Sequence, residues 1–265
     1  MSQDNKVAGA TPTMNVMVIA AEKAARSLVR DFGEVENLQV SVKGPGDFVS
    51  NADRKAEKIL IQELQKARPK YNFLVEESGE IPGEDPDYCW IIDPLDGTTN
   101  FLHGIPHFAI SIALEKRGEI IAAVILDPIK NELFTAEKGR GAFFNKRKLR
   151  VSGRDKLNNC VVGTGIPIAK DKAAETIAQI TAVNPHVAAI RSLGATVLDL
   201  AYVAAGRYDA LWRNSFQTWD VAAGMLLIQE AGGKVTMTDG AEFDFESSNI
   251  LATNAKIHEQ MMKML

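Results

Sequence analysis

Residues 90–101, Trp-Ile-Ile-Asp-Pro-Leu-Asp-Gly-Thr-Thr-Asn-Phe, constrain the fold of this chain more than any other segment. The apolar triplet at residues 90–92 predicts a buried strand. Asp93 and Asp96 follow at once, and Gly97-Thr98 then offers the start of a helix. The segment therefore predicts a strand whose carboxyl end carries two acids and leads directly into a helix N-terminus.

The same segment indicates a chemistry. Carboxylates are the oxygen ligands that hard cations prefer, and free N–H groups at a helix N-terminus bind phosphate. Metal and phosphate sites a few residues apart favour metal-assisted phosphoryl transfer to water. However, an Asp-Pro-x-Asp-Gly string is also good turn chemistry, so this segment alone leaves both interpretations open.

Further acids stand at the predicted ends of strands or starts of helices. Asp53 lies in the first turn of a predicted helix, Glu76-Glu77 follow a predicted strand, and Asp220 opens another helix. Each has a purely structural alternative, namely the helix dipole for Asp53, an acidic turn for Glu76-Glu77 and an N-cap for Asp220. Together they would supply the oxygen ligands that two or three Mg²⁺ ions require.

Composition narrows the class of protein. The formal net charge of −4 over 265 residues gives no global field that would attract nucleic acid or an anionic membrane. The two cysteines, Cys89 and Cys160, are far apart, which fits a reducing compartment. The apolar run at residues 14–21 is too short to span a bilayer. We therefore expect a cytoplasmic location.

A single basic cluster interrupts this mildly acidic chain. We interpret it as the solvated face of a β-hairpin, and the alternative is a contact surface for RNA or an acidic protein. Its members are Lys138, Arg140, Lys146, Arg147, Lys148, Arg150 and Arg154.

The pattern along the chain predicts a mixed α/β fold in two lobes, residues 13–154 and 155–265, after a disordered N-terminus at residues 1–12. Residues 43–47 have the composition of a loop. The first lobe is predicted to contain a helix from residue 13, a second helix opening near Ser50-Asn51, and strands at 71–75, 90–92, 108–114, 120–126 and 132–136. In the second lobe strands alternate with helices, with strands at 160–164, 209–212 and 234–237 and helices at 173–182, 196–205 and 221–231.

Three motifs together resemble the signatures of the inositol monophosphatase family, in its bacterial inositol-1-monophosphatase or extragenic-suppressor type. They are Glu76-Glu77-Ser, residues 93–101, and Trp219-Asp220-Val-Ala-Ala-Gly, in the family's order and spacing. The similarity runs from about residue 14 to residue 252. It implies a layered α/β/α/β/α sandwich of the sugar-phosphatase type, usually a homodimer. It also implies Mg²⁺-dependent, commonly lithium-sensitive, hydrolysis of small phosphate monoesters.

The resemblance also implies roles for single residues. Glu76, Asp93 and the Leu95 carbonyl would hold a first metal ion. Asp93, Asp96 and Asp220 would hold a second, and a third would lie near Glu76. Asp53 and Thr98 would orient and deprotonate the attacking water, and Glu76 would be a third catalytic residue. Lys43 would lie in a loop near the metal site. The residues that would bind the substrate are Asp96, Gly97, Thr98, Gly194, Ala195, Arg213 and Asp220.

Arg213 departs from the family pattern, because many inositol phosphatases carry there a glutamate that binds ring hydroxyls. A carboxylate accepts hydrogen bonds from hydroxyls, whereas a guanidinium only donates them and pairs well with a second phosphate. The resemblance implies hydrolysis of inositol 1-phosphate, and three alternatives stay open. These are a fructose-1,6-bisphosphatase, a nucleotide 3′-phosphatase, and a regulatory protein that binds RNA or the transcription machinery.

Overall fold

Two β-sheets and the helices packed on them form the structure, a computed structural model that describes residues 11–38, 45–167 and 170–265. The helices are α1 (Pro12–Leu38), α2 (Pro45–Ala67), α3 (Thr98–Leu102), α4 (Lys170–Val183), α5 (Thr196–Ala204), α6 (Thr218–Glu230) and α7 (His258–Met262). In these described ranges, none of the helices combines the length and the hydropathy that a membrane crossing requires.

The first sheet has the strand order β2-β1-β3-β4-β5-β6-β7-β8. Its strands are β1 (Tyr71–Val75), β2 (Gly79–Ile81), β3 (Asp85–Asp96), β4 (Ala109–Lys116), β5 (Glu119–Asp127), β6 (Glu132–Glu137), β7 (Gly141–Phe144) and β8 (Arg147–Lys148). Strands β1 and β3 run parallel, and from β3 onward each neighbour is antiparallel.

The second sheet has the order β10-β9-β11-β13-β12. Its strands are β9 (Val161–Gly163), β10 (Ala189–Arg191), β11 (Ala210–Arg213), β12 (Lys234–Thr236) and β13 (Ile250–Thr253). Strands β10, β9 and β11 are parallel to one another, so their carboxyl ends lie at one edge of the sheet. Strand β13 runs antiparallel to β11, and β12 pairs with β13 at the far side of the sheet.

Three apolar clusters define the layers. One joins α1 and α2 to one face of the first sheet through Met17, Leu60 and Ile92. The second fills the space between the two sheets, around the buried helices α5 and α6. The third packs α7 and the end of α4 on the outer face of the second sheet, through Met261 and Val183. This order confirms the predicted layered α/β/α/β/α sandwich.

The start of α2 differs from the prediction. Residues 45–47 belong to the helix, which begins at Pro45 and not near Ser50, so the predicted loop over 43–47 is wrong for 45–47. Proline is well suited to the first helical position, since it has no N–H to leave unsatisfied and its φ is already helical. Helix α1 begins at Pro12, inside the predicted disordered N-terminus, where the Thr11 hydroxyl accepts a bond from Met14 N at 3.2 Å.

Strand β3 is much longer than its predicted core at residues 90–92 because it lies between two partners, β1 and β4, that pair along most of its length. The basic cluster includes the β7–β8 hairpin, where Lys146, Arg147 and Lys148 are exposed. Both cysteines are free thiols. Strand β13, fully buried, was not predicted, since a four-residue apolar run has no periodicity of its own.

Helices α5 and α6 pack so closely that a glycine is required between them. A Cβ atom on Gly224 would lie 2.4 Å from the Cβ of Leu200. In contrast, a Cβ atom on Gly33, in the exposed face of α1, would meet nothing within 4 Å. Close packing therefore requires glycine at residue 224, whereas residue 33 has room for a side chain.

We expect Gly224→Ala to lower the free energy of unfolding by about 1–2 kcal/mol, because overpacking outweighs the gain in helix propensity. The matched control Gly33→Ala should raise it by about 0.5–1 kcal/mol. Urea denaturation of the three proteins measures both values. A Gly224→Ala variant as stable as the wild type would contradict the close α5–α6 contact.

Candidate active site

A break in the register of β3 places Asp93 and Asp96 on the same face of the sheet. Asp93 lies opposite Ser111 of β4 and Asp96 opposite Ala109, so three steps along β3 match two steps along β4. In a regular strand, residues three apart point to opposite faces, whereas the extra residue of a bulge brings them to one. The two acids of the predicted motif therefore share one face.

Asp93 is 2% exposed, and its Oδ1 accepts a bond from Leu95 N at 2.9 Å. Burial raises its pKa well above the ordinary range, and the charges of Asp96, Glu76 and Asp220 raise it further. Glu76 shares a hydrogen bond with Asp93 through their side chains. This carboxyl is therefore a buried acid surrounded by other acids.

Asp96 connects the two sheets. Its Oδ2 accepts a bond at 2.9 Å from Val197 N in the first turn of α5, more than one hundred residues further along the chain. Burial and the charge of Asp220 raise the pKa of Asp96 well above its usual range, although the Val197 bond and the charge of Arg213 oppose the shift. The first turn of α5 thus fixes one oxygen of this carboxylate.

Asp220 is the third residue of α6 and takes part in a reciprocal capping box with Gln217. Its Oδ2 accepts a bond from Gln217 N at 2.8 Å. The structural alternative considered for Asp220, an N-cap, is wrong, because Gln217 is the N-cap and Asp220 supports it from the third helical position. Burial nevertheless raises the pKa of Asp220, and its charge also acts on Glu76 and Asp96, so it belongs to the same acid cluster.

Asp53 and Glu76 complete this cluster from the side of α2 and β1. Asp53 is 3% exposed, and its Oδ1 is buried without a hydrogen-bond partner among the described residues. Burial, with the charges of Glu76, Glu77 and Glu57, raises the pKa of Asp53 to about 8. The pKa of Glu76 is also raised, chiefly by loss of hydration and despite the hydrogen bond that it shares with Asp93.

Glu57 is a functional neighbour that the sequence analysis missed. It accepts bonds from Glu77 N at 3.1 Å and from the Ser78 hydroxyl, and so attaches the turn after β1 to helix α2. Its spacing of four residues from Asp53 puts both acids on one helix face. That spacing was the available signal.

The donor chemistry of the cluster fits a hard divalent cation. Asp93, Asp96 and Asp220 each use one oxygen to accept a backbone N–H bond, which anchors the carboxylate and leaves its second oxygen without such a donor. Repulsion between the buried Asp93 and the half-buried Asp96 and Asp220 is what a bound cation would relieve. In the described ranges, no three acidic, histidine or cysteine side chains already surround a common point closely enough to ligate one ion.

Gly97 and Thr98 shape the turn that leads from β3 into α3. Gly97 has φ of +92°, and a Cβ atom there would lie 3.0 Å from the carbonyl oxygen of His107, so only glycine suits the position. The Thr98 hydroxyl donates to the carbonyl oxygen of Leu95 at 3.1 Å. The partnership of Thr98 with Asp53, which the family resemblance implies, stays a prediction.

Asn100, also missed by the sequence analysis, ties this loop to the second lobe. Its Nδ2 donates to the carbonyl oxygens of His107 and Leu193, each at 2.8 Å. A Cβ atom on the neighbouring Gly194, whose φ is +82°, would lie 3.1 Å from the same Nδ2. Gly194 and the buried Ala195, the N-cap of α5, are thereby brought beside the loop, and their role on the substrate side stays a prediction.

Arg213 ends β11, and its charge lowers the pKa of Asp96, Asp220 and Asp199 against the larger effect of burial. Asp199 is fully buried, neither of its carboxylate oxygens has a partner among the described residues, and its pKa is raised to about 7. The sequence analysis missed Asp199, which reads there as an ordinary first-turn acid. Lys43 lies outside the described residues.

Comparisons with known proteins show which sequences and folds this chain resembles. The model of the inositol monophosphatase family matches residues 10–265. An inositol-1-monophosphatase of Mesorhizobium japonicum is 55% identical over 94% of this chain and 94% of its own length. The Nus factor SuhB of Pseudomonas aeruginosa is 44% identical over 95% of this chain and 94% of its own length. The crystal structure of the extragenic suppressor protein SuhB of Bartonella henselae, 55% identical, matches with a TM-score of 0.89 over 96% of this chain and 98% of that one.

The raised pKa of Asp53 predicts a loss of stability with rising pH when no divalent cation is present. A carboxyl whose pKa is higher folded than unfolded binds more protons in the folded state, so stability falls as pH rises towards the folded value. Between pH 7 and pH 8.5, Asp53→Asn should reduce this fall by about 1 kcal/mol. The window lies above the titration of His107 and His258, whose pKa values burial lowers to about 4.

Urea denaturation in EDTA at the two pH values measures the effect. Asp87→Asn is the matched control, because Arg117 and its hydrogen bond lower the pKa of this exposed acid, which stays ionised throughout the window. A pH dependence of Asp53→Asn equal to that of the wild type would contradict the assignment.

Proposed function

This chain belongs to the inositol monophosphatase family and is a phosphoric monoester hydrolase, and from that premise we propose that it hydrolyses inositol 1-phosphate with the aid of Mg²⁺. One observation carries the proposal. Five carboxyl groups from four separate parts of the chain, Asp53, Glu76, Asp93, Asp96 and Asp220, all have raised pKa values and act on one another or on a common neighbour.

We propose that Glu76, Asp93 and the Leu95 carbonyl hold one ion, and that Asp93, Asp96 and Asp220 hold another, with a third ion near Glu76. The supports are the raised pKa of each carboxyl and the anchoring of one oxygen of Asp93, Asp96 and Asp220 by a backbone N–H group. When bound, Mg²⁺ lowers the pKa of water and neutralises charge on the phosphate and the leaving oxygen.

Asp53 is suited to take the proton of the attacking water. It is buried beside Glu76, and its unpartnered Oδ1 can accept a hydrogen bond. The pKa of Asp53 is raised in the absence of cations, and the positive charge of bound Mg²⁺ would lower it, which favours the ionised form that accepts a proton. We propose that the Thr98 hydroxyl, which donates a hydrogen bond to the Leu95 carbonyl in this structure, helps to orient this water.

The backbone N–H groups of Gly97 and Thr98 would bind the phosphate oxygens as individual donors. Helix α3 has only five residues, so its dipole adds little. On the leaving-group side, Gly194, Ala195 and Arg213 would face the alcohol. The bonds of Asn100 and Asp96 to the segment 193–197 hold the first two near the loop. Homodimer formation and a cytoplasmic location, which the resemblance and the cysteine content imply, stay predictions.

We expect Asp93→Asn to lower kcat roughly a thousandfold or more, because the variant loses a ligand shared by the two proposed metal ions and the negative charge that binds them. Phosphate release from inositol 1-phosphate measures this, with Mg²⁺ and with EDTA. Added Mg²⁺ should raise the melting temperature of the wild type and much less that of the variant.

The control for Asp93→Asn is Glu80→Gln, an exposed acid on β2 outside the cluster, which should keep wild-type turnover. An Asp93→Asn variant that retains near-normal turnover and Mg²⁺ affinity would refute the shared-ligand assignment.

A regulatory role is the second candidate. Relatives such as the Pseudomonas aeruginosa protein are named Nus factors, and the exposed basic hairpin of this chain offers a surface for RNA. We expect replacement of Lys146, Arg147 and Lys148 by glutamine to weaken RNA binding at least about tenfold if this surface is used, since each contributes a phosphate contact. Unchanged binding in a filter assay at fixed salt would remove this candidate's structural support.

A further inference from the structure

The carboxyl ends of three parallel strands form one edge of the second sheet, and Arg213 is at that edge. Backbone and side chain of Thr164, just after β9, hold the strand ends together. Its N–H donates to the Arg191 carbonyl of β10 at 2.9 Å, and its hydroxyl donates to the Trp212 carbonyl of β11 at 3.1 Å. Ligands of α/β sheets bind at the carboxyl ends of parallel strands, so Arg213 is placed where a ligand is expected.

The guanidinium of Arg213 occupies space that only a glycine leaves free. A Cβ atom on the buried Gly165 would lie 1.5 Å from Nη1 of Arg213 and 2.6 Å from its Cζ. The positive charge therefore lies directly against the backbone after β9. A side chain at residue 165 would displace the guanidinium from this position.

Arg213 acts on the acid cluster through its charge and not through hydrogen bonds to the described residues. Its charge acts on Asp96, Asp220 and the fully buried Asp199. Within the described part of the chain, however, its guanidinium makes neither a hydrogen bond nor an ion pair. If cations neutralise Asp96 and Asp220, as the proposed function requires, Asp199 remains as the counter-charge and the guanidinium donors stay free.

We propose that Arg213 and Gly165 form an anion subsite on the leaving-group side, which selects phosphate monoesters that carry a second phosphate. The inference rests on the proposed phosphatase function. A planar guanidinium donates two parallel bonds to a phosphate and none of its groups accepts from a hydroxyl. A polyol bisphosphate therefore satisfies donors that a polyol monophosphate leaves unpaired, and it gains affinity without any change in the reacting phosphate.

The test compares inositol 1-phosphate with inositol 1,4-bisphosphate as substrates of the full-length protein with Mg²⁺. The measured quantity is the ratio of kcat/KM for loss of the 1-phosphate, with products identified by phosphorus NMR. We expect the wild type to favour the bisphosphate about tenfold or more, mainly through KM, as for a charged hydrogen-bonded contact. Arg213→Glu should reverse this preference, and Arg213→Lys should retain only part of it, because a lysine keeps the charge and loses the fork.

Two further variants separate the subsite from general effects. Gly165→Ala should lower the ratio by displacing the guanidinium, while Arg213 itself is kept. Arg140→Glu makes the same change in charge at an exposed turn between β6 and β7 and should leave the ratio unchanged. Melting temperatures confirm that each variant is folded.

The outcomes distinguish the two proposals. A wild type that releases phosphate from neither substrate would overturn the proposed function. A wild type that hydrolyses both with equal kcat/KM, or a ratio that Arg213→Glu leaves unchanged, would overturn the anion subsite and leave the phosphatase intact.

Discussion

The mutual repulsion of carboxylates crowded around the buried Asp93 is the constraint on which the rest of this structure depends. Asp93 is almost fully buried among Glu76, Asp96 and Asp220, and each of these charges raises its pKa. A protein gains nothing in stability from such an arrangement, since buried like charges oppose folding. The apolar layers that hold β3, α5 and α6 in place must overcome this cost. The same arrangement supplies the charge that a divalent cation needs.

Two sets of contacts hold the cluster together from different parts of the chain. Val197 N donates to Asp96, and Asn100 donates to the Leu193 carbonyl, so the first turn of α5 is joined to the loop after β3. Glu57 fixes the turn after β1 to α2. The proposed metal and phosphate groups are therefore carried on regular elements whose ends are joined by hydrogen bonds, a good basis for a preorganised site.

The two sheets divide the proposed chemistry. The first sheet provides Asp93 and Asp96 through the irregularity in β3, and its neighbouring elements provide Glu76 and Asp53. The second sheet provides the strand ends against which a leaving group would lie, including Arg213. Substitutions at the strand ends of the second sheet can therefore alter which phosphate ester is accepted, while the acids of the first sheet are preserved. This separation is the physical basis for a common reaction with differing substrates.

The sequence by itself determined the α/β class, the layered sandwich through its family resemblance, and the identity of the acids, because strands that end in carboxylates are visible as local patterns. Tertiary structure alone decided which groups meet. The bulge that turns Asp93 and Asp96 to one face depends on pairing with β4, and the bonds of Asn100 and Asp96 join residues about one hundred positions apart. The seat of Arg213 against Gly165 is equally non-local. Local propensity reports only neighbours along the chain, whereas register and close packing depend on which strands and helices come together in space.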